Sequence, residues 1–506
     1  MHVTLVNPEL VVLRADPLTT GIPYLPILLA SAAATVRDAG HPVDVIDAFG
    51  EAPNQCRHLG RYVLRGLTPE QGAQRLAPTT ELVVVYAMSL AHHVALIATL
   101  RALRRARPDV PIVVMENTQA VTAYALRPLW REFVAEGATY VLCGDPERRL
   151  LRLIDRVGRL MSPADLDGVG WADAAGDHFS QPTADTTDLN TLPFPAWELF
   201  PLQAYWSLGY AHGPLVQRRY LPLLTSRGCP FHCRFCVIPG TNAGRWRSRS
   251  PAHVVAEMAH WQRTLQVSEF HFEDVNPTVD DARIRALCRQ ILARRLAVTW
   301  KIVAGTKVET IRSTRTVAMM ARAGCRYLSI SPESGSAALR ARMGKTFDLP
   351  HALTILAAGR RYGLRSQCCF VIGFPGETDE DRACTWRLVH QLARHGVDEI
   401  AVFVATPVPG SAIFEHFAGY EEYSQLNFSP TWRGDFAALQ RFRWTLYLAF
   451  AGWALWYHPV RLVGHLVHLG RRRFHTKMEM AMYRGAHTAW LALWAHGRRG
   501  SEALAA

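Results

Sequence analysis

Cys229, Cys233 and Cys236 stand in the segment TSRGCPFHCRFC with the spacing C-x3-C-x2-C, directly after a predicted strand. Three clustered thiolates can hold three irons of a cubic iron–sulfur cluster and leave the fourth iron open to a ligand. A zinc site and three unrelated cysteines are the competing readings. Zinc motifs add a second ligand pair at a set distance. His232 lies inside the motif, but no such pair follows, so the spacing favours the cluster. The other cysteines (Cys56, Cys143, Cys288, Cys325, Cys368, Cys369 and Cys384) show no ligand spacing and read as small buried hydrophobes. Cys368 and Cys369 alternate along a strand, so one of them looks inward.

The elements that must position the triad follow from pattern. From about 220 to 415, the strand-like runs LPLLT, EFHFE, AVTWKI, YLSIS, RSQCCFVIG and EIAVFVA alternate with helical stretches. Six such units predict a partial barrel of parallel strands, whose working residues stand at the strands' carboxyl ends. Residues 1 to about 155 alternate likewise, with the runs HVTLV, VDVID, LVVVYAM, IVVM and TYVLC. Continuous apolar strands separated by helices predict a parallel sheet covered on both faces. Five units give a flavodoxin-like, Rossmann-type α/β domain with ligands beyond its strands' carboxyl ends. Those ends carry Asn7, Asp47, Met88, Ser89, Glu116, Asn117, Gly144 and Asp145. Between the two lies an extended strap through Pro193, Phe194 and Pro195, with Trp197 and Phe200 as anchors. The boundaries are placed at 1–160 for the doubly wound domain, 161–215 for the connector, 216–415 for the barrel and 416–506 for a helical tail.

On these motifs the chain resembles the radical S-adenosylmethionine (SAM) family, and within it the branch with an N-terminal cobalamin-binding domain. GHPVDVIDA, CGDPE, LPFPAW, FEDVNPTVD, AGCRYLSISPESGS, VIGFPGETDED and TPVPGS match that branch in order, across residues 1–415. The resemblance implies that Cys229, Cys233 and Cys236 ligate a [4Fe–4S] cluster whose fourth iron SAM chelates. It places Phe235 near the adenine. It offers Glu273, Asp274 and Asn276 as acceptors for the SAM ammonium, against an alternative reading as a cap for the helix near Asp280. It sets Glu333 and Ser334 at the ribose and polar end, with Gly335 and Gly373 allowing close backbone approach. Thr406, Pro407, Pro409 and Gly410 shape a turn. The region NPELVVLRADPLTTG has no histidine where many cobalamin domains have one, and MENTQA replaces a Gly-Gly-x-His stretch. The expectation is therefore cobalamin bound without a protein histidine ligand. His92 and His93 cannot share a helix face and read as surface residues.

The composition agrees with a multidomain enzyme. A chain of 506 residues allows two to four domains. With 49% apolar and 20% charged residues, it is neither disordered nor a disulfide-rich miniprotein. The +13 charge comes from 52 arginines and only four lysines, without a basic stripe, so nucleic acid is not an expected partner. MHVTLVNPEL reads as a first strand rather than a leader, which predicts a cytoplasmic protein. The tail from Arg433 carries +8 of the charge among aromatic residues. A helical cap closing the substrate side is the expectation; an interfacial surface with peripheral membrane contact is the other reading. The resemblance implies a cobalamin-dependent methyltransferase acting on an unactivated carbon of a small metabolite or lipid, fed by a flavodoxin- or ferredoxin-type electron donor. Relatives of the same architecture carry out cyclisation or rearrangement without methyl transfer. A non-catalytic binding protein does not fit the intact cysteine triad.

Overall fold

A computed structural model describes residues 1–120 and 123–502, with side chains described except at 461–463, 466 and 494–502. The β-branched runs Val3–Asn7, Val43–Asp47, Leu82–Ala87, Ile112–Glu116 and Tyr140–Leu142 form parallel strands. Their spatial order is second, first, third, fourth, fifth. The chain's direction across the sheet therefore reverses between Val3–Asn7 and Leu82–Ala87, and crevices open beyond the carboxyl ends at such a point. The helix Ile27–Asp38 is buried along nearly its whole length, and the strap seals it: Ala196 N donates to Ala30 O at 3.0 Å. Trp197 and Phe200 are both buried.

Part of the connector belongs to this sheet. Val169–Asp173 and Gly176–Phe179 form a hairpin that adds two antiparallel strands beside Tyr140–Leu142. Gly176 takes the turn at φ 125°, and Trp171 stacks on His178 across the pair at 4.9 Å. A second hairpin, Cys56–Leu59 with Tyr62–Arg65, pairs with Leu10–Leu13 as a separate small sheet.

Six parallel strands follow in sequence order: Tyr220–Leu223, Glu269–Phe272, Thr299–Thr306, Cys325–Glu333, Arg365–Ile372 and Glu399–Val404. The sheet curls enough for Tyr327 Oη of the fourth strand to donate to Glu399 of the sixth at 2.5 Å. Cys369 lies on the inner side, 3.5 Å from Ser329 Oγ, while Cys368 packs in the core.

The tail forms the helices Phe436–Tyr457, Pro459–Arg471 and Lys477–Glu502. The first packs on the helix Asp379–Arg394 through Trp386 and Trp453, and Tyr447 Oη takes the Val402 N–H at 2.9 Å. The third does not close only the substrate side, as the sequence suggested. The N–H groups of Lys477 and Met478 fall on the Glu399 carboxylate, at the amino end of the last strand. No helix among the described residues is long and apolar enough to cross a membrane.

Candidate functional site

The triad loop begins where the short strand Ser226–Gly228 ends, and that strand pairs with Trp246–Ser248. Cys236 N donates to Cys233 O at 3.1 Å, and Arg234 N to Met343 O at 3.0 Å, so backbone bonds hold the loop. The three thiols sit close enough for each charge to act on the next. Burial pushes all three thiols up, that of Cys236 to about 12. Lys345 and Lys307 pull Cys233 the other way. Soft sulfur donors of this kind, three on one short loop, suit an iron–sulfur cluster, and coordination removes the thiol protons.

Gly228 is required here. It sits at φ 75°, and an added Cβ would lie 2.0 Å from Arg245 O. Gly228→Ala is expected to lower iron bound per chain, because the loop must move before the cysteines can converge. Gly434→Ala, where a Cβ meets nothing within 4 Å, should leave iron unchanged. Equal iron content in the two variants would contradict this.

Glu333 ends the fourth strand at φ 65°, a left-handed conformation that non-glycine residues rarely hold. It is buried and bonded by Lys345 Nζ at 2.8 Å, which also donates to Ser331 Oγ at 2.8 Å. Lys307 lies over the Phe231 ring at 4.9 Å. Phe235 packs with Leu339, Met343, Val371 and Phe374 beside the carboxyl ends of the fifth and sixth strands. Glu273 forms a pair with His212 at 2.7 Å, and Lys477 Nζ stands 3.2 Å from the other nitrogen of that imidazole. The Tyr24 ring covers His212 at 4.7 Å, so the first domain, the barrel and the tail meet there.

Other candidates are committed elsewhere. Asp274 is fully buried and accepts from Thr225 N, Thr225 Oγ1 and Ser226 Oγ, which makes it the clamp of the strand-to-loop corner. Asn276 Oδ1 accepts from Thr278 and Thr306. Neither is the cap of the helix near Asp280, since Asp280 caps that helix itself. Ser334 Oγ is occupied by Thr385 and by the N–H of Ser336. Gly335 admits a neighbouring helix: an added Cβ would lie 2.1 Å from Cys384 O. The space above Gly373 is filled by the tail, with Leu439 2.5 Å from an added Cβ and Arg433 donating to Gly373 O at 3.0 Å. His92 and His93 are buried rather than on the surface, and His93 is held by Tyr124 and Glu132.

The two sheets present their carboxyl ends to each other. Gly228 N donates to Gln119 Oε1 at 3.1 Å, Asn242 Nδ2 to Thr118 O at 2.8 Å, and Ala125 N to Pro409 O at 3.0 Å. Ala125 packs with Val237 and Ile238, against Cys229 and Cys236. This is where the segment MENTQA is used: Glu116 bonds the N–H groups of Leu126 and Gly144, and Gln119 reaches the cysteine loop. Burial pushes Glu116 up to about 7. Beside them, buried Arg227 meets Glu147 at 2.8 Å and Asp145 at 3.6 Å, and Arg247 also pairs with Asp145. Arg227 and Arg247 hold the Asp145 carboxyl below its usual range despite burial.

The composition carried one unused signal. All four lysines of this arginine-rich chain lie in or beside the barrel: Lys301 on Glu269, Lys307 and Lys345 by the cysteine loop, Lys477 at His212.

Residues 223–407 match the radical SAM superfamily model. An uncharacterized methyltransferase of Pyrococcus horikoshii is 25% identical over 276 residues, 54% of this chain and 57% of that protein. The chain thus spans little more than half of that relative. The anaerobic magnesium-protoporphyrin IX monomethyl ester cyclase of Synechocystis is 25% identical over 403 residues, 76% of this chain and 70% of that protein. Among solved structures, TsrM from Kitasatospora setae superposes with a TM-score of 0.63 at 18% identity, covering 83% of this chain and 78% of that one. TsrM is a radical SAM methyltransferase solved with cobalamin and a [4Fe–4S] cluster bound, and the likeness is one of fold.

Proposed function

We propose, from the premise that this chain belongs to the radical SAM superfamily and is an enzyme, that it is a cobalamin-dependent methyltransferase acting on a carbon of a small metabolite or lipid. One observation carries the reading. The carboxyl ends of the first sheet, where a doubly wound domain takes its ligand, lie directly against the cysteine loop through Gln119 and Gly228. A methyl carrier and a radical source placed there face one substrate.

The residues fit both groups. Cys229, Cys233 and Cys236 would hold the cluster, and Glu333, Phe235 and Glu273 are the residues left to meet SAM, since Ser334 is bonded to Thr385 and the tail covers Gly373. Asn7 Oδ1, at the point where the strand order reverses, is buried and meets no hydrogen-bond partner among the described residues, and a corrin amide would satisfy it. When bound, the cluster with SAM supplies one-electron cleavage of a carbon–sulfur bond, and cobalamin supplies a transferable methyl. The chain's own part is positional. Lys345 fixes the Glu333 carboxylate, Asp274 clamps the strand before the triad, and Gln119 keeps the two domains in register. Cobalamin would sit without a histidine ligand, because the loop NPELVVLRADPLTTG after the first strand offers none.

Cyclisation without methyl transfer is the second reading, favoured by the longer match to the cyclase of Synechocystis. Anaerobic turnover of the reconstituted protein separates the two. S-adenosylhomocysteine and 5′-deoxyadenosine rising together, with a substrate heavier by one methylene, is the expected result. 5′-Deoxyadenosine alone, with an oxidised or cyclised product, would move the assignment to the second reading.

A further inference from the structure

The tail holds a group of ligand-type side chains that the site above does not use. His465 and His468 stand one turn apart on the helix Pro459–Arg471, and this spacing puts both imidazoles on one face. Glu479 lies in the first turn of the helix Lys477–Glu502. Both Nδ1 atoms meet the same oxygen, Glu479 Oε1, that of His468 at 3.1 Å. One ligand atom from each residue lies within 4.8 Å of the other two.

Glu479 also has a conformational task. Its Oε2 accepts the N–H of Thr476 at 3.2 Å, and Thr476 Oγ1 accepts the Glu479 N–H, which is the reciprocal arrangement of a capping box; the same Oε2 also takes the N–H of His475 at 2.7 Å. That task uses one oxygen only. The other faces two imidazoles in a residue that is 2% exposed. Among the described residues, only His465 and His468 lie in salt-bridge range of it, although Arg471, Arg472 and Arg473 are close by in sequence and exposed. Buried carboxylates are paired with charge or coordinate a metal. The His475 ring packs on His468 at 4.1 Å and restricts its orientation.

We propose that His465, His468 and Glu479 bind a divalent cation of the zinc class, with water in the fourth position. Two imidazole nitrogens and one carboxylate oxygen suit zinc. Calcium and magnesium prefer oxygen ligands throughout. The role is a staple. Glu479 follows Lys477 by two residues, and Lys477 places its N–H on Glu399 and its ammonium at His212. A cation bridging the two tail helices therefore fixes the point where the tail enters the barrel. This inference does not rest on the proposed methyl transfer.

The test is dialysis of the cluster-loaded full chain against chelator-buffered zinc, then elemental analysis and zinc-edge X-ray absorption. The expected result is one zinc per chain with nitrogen and oxygen neighbours only. The H465A/H468A variant should lose it while keeping its iron. No retained zinc would mean that the histidines only hydrogen-bond Glu479, and would overturn the proposal. So would zinc surrounded by sulfur, which would place it on Cys229, Cys233 and Cys236, or zinc undiminished in H465A/H468A. If that variant fails to fold, Glu479→Gln and the absorption spectrum of the unaltered protein decide.

Discussion

Replacing Cys233 with alanine is expected to reduce cluster iron to background and to abolish 5′-deoxyadenosine formation. Cys233 is the middle member of the triad, and its charge acts on both Cys229 and Cys236. Two remaining thiolates cannot hold a cubic cluster that already lacks a fourth protein ligand. The fold should survive. The loop is closed by backbone bonds from Cys236 N to Cys233 O and from Arg234 N to Met343 O, and neither needs the sulfur. Iron, sulfide and visible absorbance per chain, read beside an unchanged far-ultraviolet circular dichroism spectrum, check this. Lys345→Met serves as the contrast. It leaves three cysteines but removes the ammonium paired with Glu333 and lying beside Cys233, so iron should stay while the cluster becomes harder to reduce. Full iron in Cys233→Ala would show that the triad is not the metal site.

The largest expected loss of stability follows from Arg227→Met. Arg227 is 5% exposed, and it joins the barrel to Glu147 and Asp145 of the first domain. Desolvation of such charges is offset only while both partners are present. Removing one leaves a buried carboxylate unpaired, at a cost of about 3–5 kcal/mol. Arg247 still reaches Asp145, so Glu147 is the orphan. Converting Glu147 to leucine in the same chain should therefore recover part of the loss, since an apolar pair of similar volume often replaces a buried ion pair without penalty. Urea midpoints of the two single variants and the double variant measure the coupling. Strictly additive losses would show that the pair does not hold the interface.

The parts of this protein that were legible in its sequence are those set by local rules. Apolar runs of strand length, alternating with helices, placed both parallel sheets, and cysteine spacing singled out the loop that carries the three neighbouring thiols. The failures share a different cause. Residues at strand ends were assigned by their nearness to a cofactor, but sequence does not show which neighbour reaches them first. Asp274 is consumed by Thr225 and Ser226, and Gly373 is covered by Leu439 of the distant tail. Pattern put His92 and His93 on a helix surface, yet the segment Tyr423–Gln425 packs over that end, with Tyr423 5.3 Å from the His93 ring. The hairpin at 169–179 leaves no clear pattern in the sequence because its strands are short and mixed in polarity. His212, by contrast, stands in no motif. Its setting is made by Tyr24, Glu273 and Lys477, which are far apart in the chain.

If the proposed function holds, both cofactor sites open onto one space between the two sheets. Electron paramagnetic resonance of the protein loaded with cob(II)alamin and a reduced cluster tests this most directly. Two spins held across the Gln119–Gly228 contact should broaden or split each other's signals, and the coupling should weaken when Gln119 is replaced by alanine. Retained cobalamin whose signal is unaffected by reduction of the cluster would contradict a shared site, and so would failure of the chain to retain cobalamin at all.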